Sequence, residues 1–547
     1  MKRICTYFLC LMLSLMILCI SGCRQPQPEP PDTSDKTVLT VSNYGAGFGS
    51  SWLSEAKARF EAKYAETSFE PGKKGVYIDV QNTLYSGMGW VNQVPSRTEE
   101  IFFTEQVYYP DAVANSIFLD ITDIVTENMS SSQGENATIE SKLSAEQQSY
   151  YYAAYFGIVY DIDLFDQHNL YFNYDRTGLI VNKTEKKSVG LDGIEGTDDD
   201  GLPMTYDEMF TLCNAMRNRG ITPFIWTGKS REGYTGALIN ALYADYEGLE
   251  DFMLNFNLQG TAHNLVDSVV SDADGKITSI KTHTEELDSA TGYKVYQQAG
   301  RAYALSFMEQ IVSGDFYAEE CKDESFANTE AQRAFLESRP YGSKPIAMLI
   351  DGNFWDEEAS NAFYEIENDY PGEEWKRENR RFGFMPYPKA TEEKVQDGLT
   401  LFDYLYSCAF INAKIADSKI TAAKTFLQFL YTDESLAEFT LTTNTPKAVG
   451  YDLSEEQLAN LSNFGRTVWN ARERADIAYP FSDNQVYLYA QSDFNMLYSW
   501  KSLISGVTKT NMIDAIRKDQ DSTADLFNGL ANYYTQSRWE SQYGKYF

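Results

Sequence analysis

The sequence predicts an α/β protein of more than one domain. Its 547 residues exceed what a single compact core usually holds. Short apolar runs alternate with stretches whose apolar side chains recur at helical spacing, as they do where helices pack on a mostly parallel sheet. Val38, Leu39, Thr40 and Val41 form the first apolar run, and folded sequence is expected from Thr37. After Asn43-Tyr44-Gly45-Ala46-Gly47-Phe48-Gly49, a helix from about Ser50 is expected to bury Trp52, Ala56, Phe60 and Tyr64. Strands at 76–81 and 100–103 follow, and a helix near 111–116 precedes Leu119-Asp120-Ile121-Thr122.

A continuous apolar run, Ala153 to Tyr160, suits a strand buried on both faces and opens a second unit. Thr205 and Glu208 stand at capping-box spacing behind Pro203, ahead of a helix burying Met209, Leu212, Cys213 and Met216. Asp272-Ala273-Asp274-Gly275 reads as a hairpin turn or surface insertion. Towards the end, Ser418 is expected to cap a helix with Ile420, Ala423, Phe426, Leu427 and Leu430 inward, and Thr432 begins another.

At the start of the chain, Lys2 and Arg3 precede an apolar stretch from Ile4 to Ile20, the parts of a secretory signal. The stretch is slightly short for a membrane span, and no stop-transfer charge cluster follows it. Ile20-Ser21-Gly22-Cys23 resembles the bacterial lipobox, which implies removal of residues 1–22 and a diacylglycerol on Cys23. Residues 23–36, rich in Pro and polar side chains, suit an extended tether. The expectation is a protein held to the outer face of the cell membrane by its lipid.

Removing Lys2 and Arg3 with the signal leaves 44 Lys and Arg against 79 Asp and Glu. That balance disfavours nucleic acid, whose phosphates need a concentrated positive surface. Of seven cysteines, only Cys213, Cys321 and Cys408 lie beyond Cys23, so no disulfide framework is implied. Aromatic residues are abundant, with 38 Tyr, 32 Phe and 8 Trp. Such side chains suit a cleft for ligands with flat apolar faces and polar rims.

Five segments, in order, resemble the carbohydrate-binding solute-binding proteins of ABC importers. They are Phe102-Phe103-Thr104-Glu105 with Leu119-Asp120-Ile121-Thr122; Gly157 to Phe165, where Asp161 replaces the usual Asn; Pro203 to Met209; Ala347 to Trp355; and Ala422 to Leu430 with Thr445-Pro446. The resemblance implies a two-lobe periplasmic-binding-protein-like fold, with a first lobe of about 37–156 plus 385–447 and a second of about 157–384 plus 448–547. It also implies a carbohydrate, expected to be an oligosaccharide, held between the lobes and delivered to permease subunits, with no enzyme activity and no cofactor.

A sugar offers C–H faces and hydroxyl edges, so candidates are aromatic and hydrogen-bonding residues at strand ends, where open α/β sheets meet ligands. These are Asn43, Tyr44, Glu105, Gln106, Trp226, Tyr234, Asp351 and Trp355. The resemblance implies that Trp355 is an aromatic plate facing the ligand. Trp90 is a lesser candidate. The glycine loop at 45–49 lacks the G-x-G-x-x-G dinucleotide pattern and is expected to let backbone approach a ligand. The acidic run 192–201 offers Asp198 and Asp200 as calcium candidates, although its spacing fails the EF-hand pattern and a solvated turn is the favoured reading. His168, His263 and His283 form no zinc motif, and no nucleophile elbow is present. Two alternatives remain open: a glycoside hydrolase with paired carboxylates, and a surface carbohydrate adhesin.

Overall fold

The computed structural model describes residues 32–547 apart from 86–88, 106, 108, 144–151, 339–344, 404–406, 495–515 and 518–520. The signal segment, Cys23 and most of the tether, together with Gln106, lie outside the described residues. In chain order the strands are β1 (Thr37–Tyr44), β2 (Val76–Thr83), β3 (Ile101–Thr104), β4 (Phe156–Asp161), β5 (Thr222–Ile225) and β6 (Gly260–Ser271). There follow β7 (Ile277–Leu287), β8 (Ile346–Gly352), β9 (Phe382–Met385), β10 (Leu399–Phe402), β11 (Cys408–Ile411) and β12 (Ala475–Ala478).

The first sheet has the order β11-β3-β1-β2. β1 runs parallel to both β2 and β3, so the C-terminal ends of the three strands share one edge, and β11 closes the sheet antiparallel to β3. The helix Ser51–Lys63 packs on this sheet through Trp52, Leu53, Ala56 and Phe60. The helices Asp417–Leu430 and Asp433–Thr443 complete the same core with Phe426, Leu427, Leu430 and Phe439. Ser418 does not cap the former: the helix begins at Asp417 behind Ala416, and Ser418 Oγ donates to Glu70 instead. Thr432 does cap the latter, accepting from the Ser435 amide.

The second sheet has the order β5-β8-β4-β9. All six β4 residues are buried, as the unbroken apolar run requires of a central strand, and β4 pairs antiparallel with β8 and β9. Gly157 is needed here because a Cβ would lie 2.6 Å from the Phe384 ring. Thr205 accepts from the Glu208 amide to start the helix Tyr206–Asn218, whose inner face carries Met209, Leu212, Cys213 and Met216. Asp272 Oδ1 accepts from the amides of Asp274 and Lys276 and turns the β6–β7 ribbon. The three body cysteines are buried and unlinked.

Two large apolar clusters result, one beneath each sheet. The segment expected to return to the first lobe at 385 packs with the second: Met385, Tyr387, Leu401 and Phe402 belong to the second cluster, and β10 pairs with β12. Its side chains are apolar in the same pattern as those of a first-lobe strand, so only the partner distinguishes them. β11, which begins at Cys408, pairs again in the first sheet. Among the described residues no helix is long and apolar enough to cross a membrane.

Candidate functional site

The site lies where the loops leaving β1 and β3 meet the loop leaving β8. Asn43 ends β1 with its side chain fully employed, donating to the Gly49 carbonyl and to Asn82 Oδ1 and accepting from the Tyr152 hydroxyl. It shapes the glycine loop and is 0% exposed, so it offers no surface to a solute in this structure. The glycine loop approaches the other sheet's loop rather than open space. Ser51 Oγ donates to Glu357 Oε1 at 2.8 Å, and the Gly47 amide donates to Glu358. Gly49 has φ +66°, and a Cβ there would sit 2.6 Å from Glu357 Oε1.

Rings bridge the same junction. Phe48 stacks on Tyr152 at 4.5 Å and meets Phe354 at 5.7 Å. Phe354 in turn meets Phe156 at 5.5 Å, and Phe156 meets Tyr234 at 5.3 Å. Centroid separations of this size, with edge-to-face angles beyond the first pair, are favourable quadrupole geometries. Tyr234 is partly exposed and therefore retains surface for a ligand.

Carboxylates converge beside these rings. Glu105, following β3, is almost fully buried, and burial followed by repulsion from Glu358 pushes its carboxyl up to about 8. Tyr44 is half-buried, and burial with the nearby Glu105 and Glu358 pushes its hydroxyl up to about 12. Asp351 accepts from the Gly352 amide and from Gln332 Nε2, while the same Gln332 nitrogen donates to Glu358 at 2.6 Å. Burial, then Glu358, holds the Asp351 carboxyl well above its ordinary range. Burial also raises Glu358, and raises Glu357 in the face of bonds from Ser51 and Ser360. A carboxyl that keeps its proton both donates and accepts hydrogen bonds, as sugar hydroxyls require.

Two expected site residues lie elsewhere. Trp355 is 0% exposed and meets Phe335, Phe363, Phe382 and Phe464 at ring separations of 5.2 to 5.9 Å. It is a core side chain beneath the loop, not a plate facing out of it. Its place one residue past Phe354 on a tight turn inverts its direction. Trp226 is likewise buried, packed against Tyr317 at 5.1 Å, with its amide donating to Cys321 Sγ. Trp90 packs against Tyr85 and Phe102 in a small cluster of its own. Of the expected residues, the junction thus gathers Tyr44, Glu105, Tyr234 and Asp351. It adds Phe48, Phe354, Glu357 and Glu358, none of them among the expected residues; the available signal for the two glutamates was the acidic run Asp356-Glu357-Glu358 shortly after a strand.

The acidic run exposes its middle, residues 193–196, while both of its flanks are held by the helix Asn463–Arg474. Arg466 pairs with Asp198 at 3.1 Å, and Arg474 with Asp192 at 3.0 Å. Asp200 accepts from the Gly196 amide. Asp198 is thus paired with arginine, and Asp200 engages the loop backbone through Oδ2 alone. Among the described residues no group of three or more His, Cys, Asp or Glu is arranged to hold a metal.

No family profile and no curated protein matches this sequence. Solved structures do. A chitin oligosaccharide binding protein superposes with TM-score 0.51 at 14% identity, over 93% of this chain and all of its own. A structure from work on xylan utilization by the thermophilic bacterium Caldanaerobius polysaccharolyticus gives TM-score 0.53 at 12% identity, over 91% of this chain and all of its own. The likeness establishes the fold: two α/β lobes, each with its own sheet, joined by crossing segments.

Proposed function

We propose that this two-lobe α/β protein is an extracytoplasmic solute-binding protein that captures a carbohydrate between its lobes. In this reading the solute is an oligosaccharide, passed on to the permease subunits of an ABC transporter. The observation that carries it is the junction itself, where strand ends of both sheets bring rings and carboxyls to one place. Rings supply apolar faces and the carboxyls supply hydrogen bonds, the two demands a sugar makes. The chitin oligosaccharide binding protein, with the same fold, supports the substrate class. Tyr44, Glu105, Gln106, Tyr234 and Asp351 would serve the ligand, joined by Glu357 and Glu358. The lipobox-like run supports attachment through Cys23, and the lobes in this reading comprise about 37–154 with 407–447, and about 155–403 with 448–547.

Calorimetry of the protein with chito-, xylo-, malto- and manno-oligosaccharides tests the proposal. Saturable binding of at least one, with the glycan recovered unchanged by chromatography, is the expected result. Hydrolysis that disappears on removal of one junction carboxylate would establish a glycoside hydrolase instead, and binding to none would refute sugar capture.

A further inference from the structure

Glu105 and Glu358 belong to different lobes, yet they share one small volume. Glu358 accepts the Gly47 amide, and a Cβ on Gly47 would lie 3.7 Å from Glu105 Oε1. The loop 45–51 is thus clasped on one side by a first-lobe carboxyl and on the other by second-lobe carboxyls. We propose that closure of the two lobes takes up protons, because it brings Glu105 and Glu358 together around the Gly47 amide, so that solute capture is tighter in mildly acidic than in alkaline medium. This rests on the reading of the molecule as a two-lobe receptor that closes on its solute.

The surroundings favour that outcome. Tyr44 from β1 and Tyr152 from the segment before β4 face Glu105, and both are held neutral by burial and by that carboxyl. Asp351 of β8 faces Glu358, again without a cation among the groups that shift either of them. Asp356 and Glu357 sit on the same short helix as Glu358, Trp355–Glu358, and Arg377 is engaged there by Asp356 at 2.8 Å. Lys447 approaches from the last crossing, its Nζ over the rings of Trp52, Tyr152 and Phe439 at 3.9 to 4.3 Å. Trp52, Tyr152 and Phe439 are first-lobe side chains of one apolar cluster, while the Lys447 amide donates to the Tyr451 hydroxyl of the second lobe.

Two carboxyls brought together out of water cannot both ionise without cost, which is why the closed form holds protons that separated lobes would release. The closed form raises Glu105 to about 8. Burial is the larger cause of that rise and repulsion from Glu358 the smaller, and in this proposal separation relieves both by admitting water and taking Glu358 away, which moves the carboxyl towards the ordinary range of about 4.3. Between those limits the closed form binds more protons, so affinity falls as pH rises, by up to about tenfold per pH unit for each proton taken up. Above about 8 the dependence levels off, since both forms are then ionised.

The test uses the full-length protein and whichever oligosaccharide of the panel binds. Calorimetry near pH 7 in buffers of different ionisation enthalpy should show net proton uptake on binding, and affinity should fall tenfold or more from pH 6 to 8. Glu105→Gln and Glu358→Gln should each lose most of that uptake. Absence of uptake in the wild type, or full uptake in both variants, overturns the proposal. If no oligosaccharide binds, the receptor reading fails, and hydrogen–deuterium exchange of the unliganded protein still decides. Protection of amides 45–51, corrected for intrinsic rates, should fall with rising pH in the wild type and stay level in both variants. pH-independent protection in the wild type overturns proton-linked closure, and unchanged exchange in β1 and β4 confirms that the variants are folded.

Discussion

Trp355 shows how one position divides a ligand residue from a core residue. Phe354 points to the lobe junction and packs with Phe48 and Phe156, whereas Trp355 turns inward among four phenylalanines. Truncating a large buried ring removes its transfer free energy and leaves a cavity, at a cost of about 3–5 kcal/mol. Trp355→Ala is therefore expected to lower the thermal midpoint sharply in a denaturation scan. Affinity for the oligosaccharide, measured well below that midpoint, should change little. The reverse pattern, a stable protein that no longer binds, would return Trp355 to the site. No sequence signal separates the two aromatics, because both are equally apolar and direction is set by the turn that Gly352 begins. Tyr44 and Glu105 were legible because strand-end position is itself a geometric statement.

The glycine loop is the element on which lobe contact turns. Its sequence announces flexibility, and the structure assigns that freedom to docking against the helix Trp355–Glu358. Ser51→Ala removes one cross-lobe hydrogen bond, worth about 1 kcal/mol, and should weaken capture roughly fivefold. Gly49→Ala should weaken it further and also lower the unliganded midpoint. Alanine in the left-handed region costs about 1 kcal/mol, and its Cβ displaces the Glu357 carboxylate that Ser51 engages. Calorimetry and thermal scans on the two variants separate these effects, and equal behaviour of both would show that the loop does not clasp the second lobe. The acidic run teaches a related lesson at this scale. Its charges read as a solvated turn until the helix Asn463–Arg474, more than 260 residues along the chain, supplies Arg466 and Arg474.

For the molecule as a whole, attachment and capture are separable. Cys23→Ala should abolish incorporation of labelled palmitate and release the protein from membranes, while oligosaccharide affinity stays at the wild-type level. Undiminished labelling of that variant would remove the lipid anchor from the proposal. The sequence alone determined the α/β class, the strands β1 to β4 to within a few residues and the helix starts at Thr205 and Thr432, because these depend on local periodicity and on caps a few residues away. It also placed Tyr44, Glu105 and Asp351 at strand ends. Only the tertiary structure decided that β10 belongs with β12 and that Trp226 and Trp355 are core. It alone brought Glu105 of one lobe to Glu358 of the other, 253 residues later. Pairing partners, side-chain direction after a turn and the meeting of distant carboxyls are set by packing between segments far apart in the chain, and no local pattern records them.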